Sequence, residues 1–190
     1  MKKLGILLLG IFMISGVVSA QPFKVKSNVI GIGIGFGSSL GSFSKSSQTP
    51  GFSALYERGV WNVRKVDVIS LGGYIGFKAF KDENNYSIYN YTQKWNYTII
   101  GFRGAYHYNG FTNLPKLDIY GGAMVSYNIL NYKYEDNNPN GNFSYNDNNS
   151  SGASATAFVG GRYFFNEGFG VYSELGYGVS FVTAGVCFKF

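Results

Sequence analysis

The chain has 190 residues, 45% hydrophobic and 18% aromatic, with 27 glycines, 14% charged residues and one cysteine. Its net charge is +6, or +4 over residues 21–190, and the basic residues are scattered. These features exclude a clustered nucleic-acid surface, an internal disulfide and a helical protein, since no apolar period of 3.6 continues past Ala20.

The amino end reads as a secretory signal. Lys2 and Lys3 precede an apolar run from Leu4 to Val18, and Val18-Ser19-Ala20 supplies small residues for cleavage after Ala20. The run is short for a membrane-spanning helix of about 20 residues. Residues 21–190 then form one domain.

Eight stretches alternate with the period of a strand. The first, Val29–Gly37, sets Ile30, Ile32, Ile34 and Phe36 against glycines. Phe52–Val60 sets Phe52, Ala54 and Tyr56 against Ser53, Leu55 and Glu57. Val68–Phe80 sets Ile69, Leu71, Ile75 and Phe77 against Ser70, Gly72, Tyr74 and Lys78. Tyr97–Tyr108 sets Ile100, Phe102, Tyr106 and Tyr108 against Gly101, Arg103, Ala105 and His107. Leu117–Leu130 sets Leu117, Ile119, Val125, Tyr127 and Ile129 against Asp118, Tyr120, Gly122, Ser126 and Asn128. Ala153–Phe165 sets Ala155, Ala157, Val159 and Tyr163 against Thr156, Gly160 and Arg162. Phe169–Val179 sets Phe169, Val171, Leu175 and Tyr177 against Gly170, Tyr172, Glu174 and Gly176. The last, Phe181–Phe190, has an oily even face (Val182, Ala184, Val186, Phe188, Phe190).

Connections one, three and five are long and polar: Ser38–Gly51, Lys81–Asn96 and Asn131–Gly152. Connections two, four and six are shorter, as in transmembrane barrels. The seventh, near Gly178–Phe181, breaks this pattern by being short. All four prolines avoid strand centres. A water-soluble carrier barrel also alternates, with its oily face inward, and parity does not separate the two. The polar face does. It is rich in Gly, Ser and Thr and holds charges of both signs (Glu57, Lys78, Arg103, Asp118, Arg162, Glu174, Lys189). Small residues fill a narrow lumen without clash, and buried charges need partners. Aromatics gather at both strand ends, as two membrane interfaces require. The expected fold is all-β, an eight-stranded antiparallel transmembrane β-barrel.

Glu174-Leu175-Gly176-Tyr177-Gly178 followed by Gly185-Val186-Cys187-Phe188-Lys189-Phe190 resembles the closing hairpin of the small outer-membrane β-barrel family that includes OmpA- and OmpX-type barrels. Tyr56-Glu57-Arg58-Gly59-Val60-Trp61 with Gly72-Gly73-Tyr74-Ile75-Gly76 resembles its second hairpin. The resemblance implies residence in the outer membrane of a Gram-negative-type bacterium. It also implies insertion by the outer-membrane assembly machinery, which reads a terminal aromatic signal, here Phe188 and Phe190.

Candidate chemistry is sparse. The Gly31–Gly37 repeat lacks the helix and acidic partner of a dinucleotide loop and reads as barrel wall. His107 is the single histidine; the His-x-Ser pair of lipid A deacylases is absent, since His107-Tyr108-Asn109 has no serine. One His and no nearby Cys make a poor metal site, and no cofactor is expected. Cys187 reads as a small side chain in a crowded wall. Glu57, Lys78, Arg103, Asp118, Arg162 and Glu174 are expected to form a lumen salt-bridge network, with Arg162 pairing an acid such as Glu174. Tyr86, Tyr89, Tyr91, Trp95, Tyr132 and Tyr134, in the long connections, are the candidates for binding a surface protein or glycan. Phe143 and Tyr145 lie among them. The expected role is a non-enzymatic barrel embedded in outer-membrane lipid, with a plugged lumen and contacting loops. The alternatives are a narrow channel for small or apolar solutes and a lipid-modifying enzyme.

Overall fold

The computed structural model describes residues 23–38, 40, 47–64, 66–86, 89–111, 114–138, 141–147 and 151–190. The expected signal segment, residues 1–20, lies outside the described residues. Among the described residues ten strands are formed: β1 (Asn28–Phe36), β2 (Ser47–Gln48), β3 (Gly51–Val63), β4 (Asp67–Tyr86), β5 (Tyr89–Tyr108), β6 (Leu117–Asn138), β7 (Gly141–Asp147), β8 (Gly152–Phe164), β9 (Phe169–Gly176) and β10 (Val182–Lys189). Eight of them are staves. The antiparallel order β1-β3-β4-β5-β6-β8-β9-β10 returns to β1, from Val29↔Lys189 to Phe36↔Val182, and the sheet closes on itself. β2 pairs with β4 and β7 with β6, both off the barrel path.

The direction of the oily face fixes the solvent. Ile32 is 55% exposed, and Ile75, Ile100, Phe102, Val125, Val159 and Leu175 also face out. Arg103 and Arg162 are each 1% exposed and face in. A soluble barrel has the opposite arrangement. Apolar outside, charged inside and closed on itself is the form in which β-structure crosses a bilayer. The protein is an eight-stranded transmembrane barrel.

Glycines in β1 make room inside the wall. A Cβ on Gly33 would lie 2.4 Å from the Tyr172 hydroxyl and one on Gly185 2.7 Å from its ring, so the tyrosine lies along the inner wall over β10 and β1 only because these positions are bare. The seventh connection, expected to be merely short, folds inward. Val179 and Ser180 are buried at the mouth away from the chain ends.

Two expected loops are strands instead. β4 and β5 stay paired from Val68↔His107 to Tyr86↔Tyr89, so Lys81–Asn96 is mostly a hairpin arm. β6 runs on to Asn138 and turns into β7, from Asn138↔Gly141 back to Tyr132↔Asp147. These segments are rich in Asn but carry six tyrosines, Tyr86, Tyr89, Tyr91, Tyr132, Tyr134 and Tyr145, and tyrosine is a strong strand former. Crossing a bilayer takes about 9–11 residues per strand. β4 and β5 have 20 each and β6 has 22, so about half of each projects beyond the membrane. The first long connection contributes β2, which lies against β4 at Ser47↔Lys81 and Gln48↔Phe80.

Near the turns, β3 carries a bulge. Arg58 opposes Leu71, and Trp61, not Val60, opposes Ile69. The amino segment packs here: Lys26 N–H donates to Gly59 O at 2.9 Å and Gly59 N–H to Ser27 O at 3.0 Å. A Cβ at Gly59 would sit 2.3 Å from Lys24 O, so only glycine admits this approach.

Candidate functional site

Two sets of residues stand out, one inside the barrel and one beyond the membrane. Inside, strands β3, β5, β6, β8 and β9 aim alternate residues at one point. Arg103 forks onto Glu174, with Nη2 donating to Oε1 at 2.6 Å and Nη1 to Oε2 at 3.2 Å. Its Nε also lies 2.8 Å from Glu57 Oε1. Arg162 donates to Glu57 Oε2 and, at 3.5 Å, to Asp118 Oδ2. Each guanidinium rests on a ring, Arg103 on Phe158 at 3.9 Å and Arg162 on Tyr120 at 4.2 Å. The Tyr120 hydroxyl donates to Glu174 Oε1 at 2.8 Å. Two arginines and three carboxylates thus share one bonded cluster.

Two details differ from the sequence reading. Arg162 does not pair with Glu174. It sits opposite Tyr172 on β9, and its head turns toward Glu57 and Asp118, while Arg103 occupies both oxygens of Glu174. Lys78 is outside the cluster. Its ammonium donates to Gly37 O at 2.8 Å and lies 5.5 Å from the Phe80 ring, nearer the outer mouth. Lys189, also on the inner face, lies over Phe164 at 4.3 Å.

The reading of His107 missed its partners. Its Nδ1 is 2.8 Å from Asp118 Oδ1 and its Nε2 is 2.9 Å from Ser70 Oγ. The serine absent from the local motif comes from the next strand, because Val68 opposes His107 and Ser70 lies diagonally behind. An acid, an imidazole and a hydroxyl in this order are the elements of a nucleophile relay. Here all three are buried, and Phe23 stacks on the imidazole at 4.1 Å between centroids. Asn109 fixes Phe23 by donating to its carbonyl at 2.8 Å. The signal for this site was the β4–β5 register, which the sequence does not state.

Cavities frame the cluster. Beside Arg103 and Glu174 is a space of about 20 Å³, room for one water. At the mouth near the chain ends a larger cavity of about 520 Å³ lies among Lys24, Val66, Val68, Asn109, Phe111 and Leu114. Among the described residues no group of three or more His, Cys, Asp or Glu is placed to hold a metal. Cys187 is a buried free thiol.

Beyond the membrane, β4, β5, β6 and β7 make a projecting sheet with two unlike faces. The lumen-side face continues as aromatics. Trp95 opposes Tyr132, their rings 5.5 Å apart, and Tyr91 stacks on Tyr134 at 6.0 Å. Tyr145 opposes Tyr134 and extends the row onto β7. The other face carries a lysine row, Lys81↔Lys94↔Lys133. Glu83 holds Lys81, and Glu135 accepts from Lys94 at 3.1 Å and from Lys133. These two lysines hold the Glu135 carboxyl below its ordinary pKa, the Lys133 bond being the stronger cause. The side chains of Tyr86, Tyr89 and Phe143 lie outside the described residues. Phe188 and Phe190 face outward, 49% and 68% exposed.

No protein-family model and no curated protein matches the chain. Among solved structures, it is similar to the crystal structure of Ail, the attachment invasion locus protein of Yersinia pestis. In the complex with the heparin analogue sucrose octasulfate, the identity is 15% and the TM-score 0.43, over 86% of this chain and 93% of that one. For Ail alone the identity is 13% and the TM-score 0.42, over 88% and 96%.

Proposed function

We propose that this outer-membrane barrel has a plugged lumen and works by contact, its projecting sheet meeting an envelope or extracellular partner. The observation that carries the reading is the two-faced sheet. Three staves continue about half their length past the membrane and present aromatics on one side and a lysine row on the other. Rigid aromatic rings supply contact area at low entropic cost. Outside the membrane they have no task in spanning it.

The plug supports contact over transport. Eight strands leave a lumen just wide enough for side chains, and the Arg–carboxylate cluster occupies it. The space beside Arg103 and Glu174, about 20 Å³, is too small to pass a solute. Phe188 and Phe190, exposed at the seam, fit the terminal signal read by the assembly machinery.

The test shortens the sheet without touching the barrel. Joining Lys81 to Lys94, and Tyr132 to Asp147, through two-residue turns removes the outer rungs in register. Cells displaying the shortened protein should lose adhesion to immobilised matrix proteins and glycans. Adhesion equal to wild type would remove the reading.

A second reading, hydrolysis or transfer of acyl esters, has the Ser70–His107–Asp118 relay in its favour. Against it, Ser70 has no exposed surface and Phe23 covers the imidazole. Labelling of Ser70 by a fluorophosphonate in the folded protein would move the assignment there.

A further inference from the structure

The wall of β3 presents a cation to the lipid side. Arg58 points outward and is exposed, beside outward Leu71 on β4. Among the described residues its guanidinium has no hydrogen bond and no ion pair. The bulge then sets Trp61 at the next outward position, opposite Ile69 and 58% exposed. Without the extra residue Val60 would take that place and Trp61 would turn inward. Bulges re-aim side chains in this way. Tyr56, the outward residue above, has its hydroxyl bonded to Asn28 at 2.9 Å.

Tryptophan settles at the head-group level of a membrane, which puts Arg58 at the hydrocarbon edge. A guanidinium there is poorly hydrated and reaches along its stem toward the nearest anion. Among the described residues no carboxylate pairs with it. The anion present at that depth is the phosphate of a phospholipid, which matches the planar fork of arginine. The neighbouring rim is basic. Lys24, Lys26, Arg64 and Lys116 stand there against Asp67 and Glu167 among the described residues.

We propose that Arg58, seated above the bulge-turned Trp61, is a docking point for the phosphate of an inner-leaflet phospholipid, with anionic head groups favoured by the basic rim. Arginine reaches outward along its stem to supply two parallel donors, Trp61 and Ile69 flank the head group, and Leu71 lies beside the start of the acyl chain.

The chain has two tryptophans, Trp61 and Trp95, so W95F leaves Trp61 as the reporter. The full chain in neutral detergent is titrated with phosphatidylglycerol brominated on its acyl chains, and separately with brominated diacylglycerol, which lacks the phosphate. Phosphatidylglycerol should quench Trp61 at about tenfold lower mole fraction, the ratio expected from one charge-assisted hydrogen-bonded contact. R58Q should erase that preference, and R58K should keep part of it. Heat-modifiable migration in gels checks that each variant is a barrel. Equal midpoints for the two lipids, or an unchanged midpoint in R58Q, would overturn the proposal. So would a response saturated by inorganic phosphate alone, which would make the site one for free anions. If R58Q does not fold, the partial preference of R58K decides, and its absence of any shift counts against the phosphate contact.

Discussion

The inner faces of β5 and β6 meet two different fates along their length. At membrane level they deliver Arg103, His107, Asp118 and Tyr120 into a closed ring. Above it, the same faces deliver Trp95, Tyr91, Tyr132 and Tyr134 onto an open sheet. The strands, their parity and their register are continuous across the boundary. What changes is enclosure. Where six other staves complete the circle, water is removed and each charge must be answered. Where only β4 and β7 flank the pair, side chains keep contact with water and aromatic stacking suffices. The comparison teaches that the protein is two devices on one ladder, a tightly satisfied interior and a loosely committed exterior.

Removing an interior charge should separate the two most sharply. Arg162→Ala leaves Glu57 with Arg103 alone and Asp118 with His107 alone inside the lumen. Breaking a buried ion pair from one side typically destabilises by about 3–5 kcal/mol, and thermal unfolding in detergent should show a large fall in midpoint. A midpoint within error of wild type would mean that the interior is wetter than its geometry states. The exterior should respond more gently. Trp95→Ala and Tyr132→Ala, singly and together, should show a coupling of about 0.5–1.5 kcal/mol in hydrogen exchange of β5 and β6 above the membrane. The unfolding midpoint of the barrel should stay put. A shift of that midpoint equal to that of Arg162→Ala would erase the distinction.

The gentlest probe is pH. Glu135 has its folded pKa lowered by Lys133 and Lys94. A lowered carboxylate stabilises above the unfolded value of about 4.3 and loses that contribution as pH falls toward the folded value. Protection factors of the outer rungs, corrected for the intrinsic exchange rate at each pH, should therefore be flat from pH 7 to about 5 and fall below about 4, and Glu135→Gln should abolish the change. The pair is exposed, so high salt should flatten it too. Persistence of the acid loss of protection in Glu135→Gln would assign it to another group.

The barrel was legible because lipid enforces strict alternation. Ile30, Ile32 and Ile34 face out and Gly31, Gly33 and Gly35 face in, and a one-residue error would reverse every side chain. The exterior was not legible for the complementary reason. Both faces of the projecting sheet meet water, so the aromatic alternation of Tyr91, Trp95 and Tyr97 lies diluted among Asn84, Asn85, Asn90 and Asn96, and a polar strand reads as loop. The membership of the charge cluster was readable from parity, with Lys78 the exception. Its wiring was not. Arg162 reaches Glu57 from a stave that is not its neighbour, and contact across a lumen depends on strand tilt, which no local spacing encodes. His107 and Ser70 needed the register of a hairpin whose turn lies far away at the outer tip.

The seam where β1 meets β10 carries a kinetic consequence. Asn28 donates its side-chain amide to the carbonyl of Phe190, 162 positions along the chain. Contacts of such sequence separation form slowly and late. Until they form, the insertion intermediate carries two bare edges, each a template for a stranger strand. Substitutions at Val29, Ile32 or Val186 should therefore act on the lifetime of that intermediate, and on how much escorting it needs, before they alter the finished barrel.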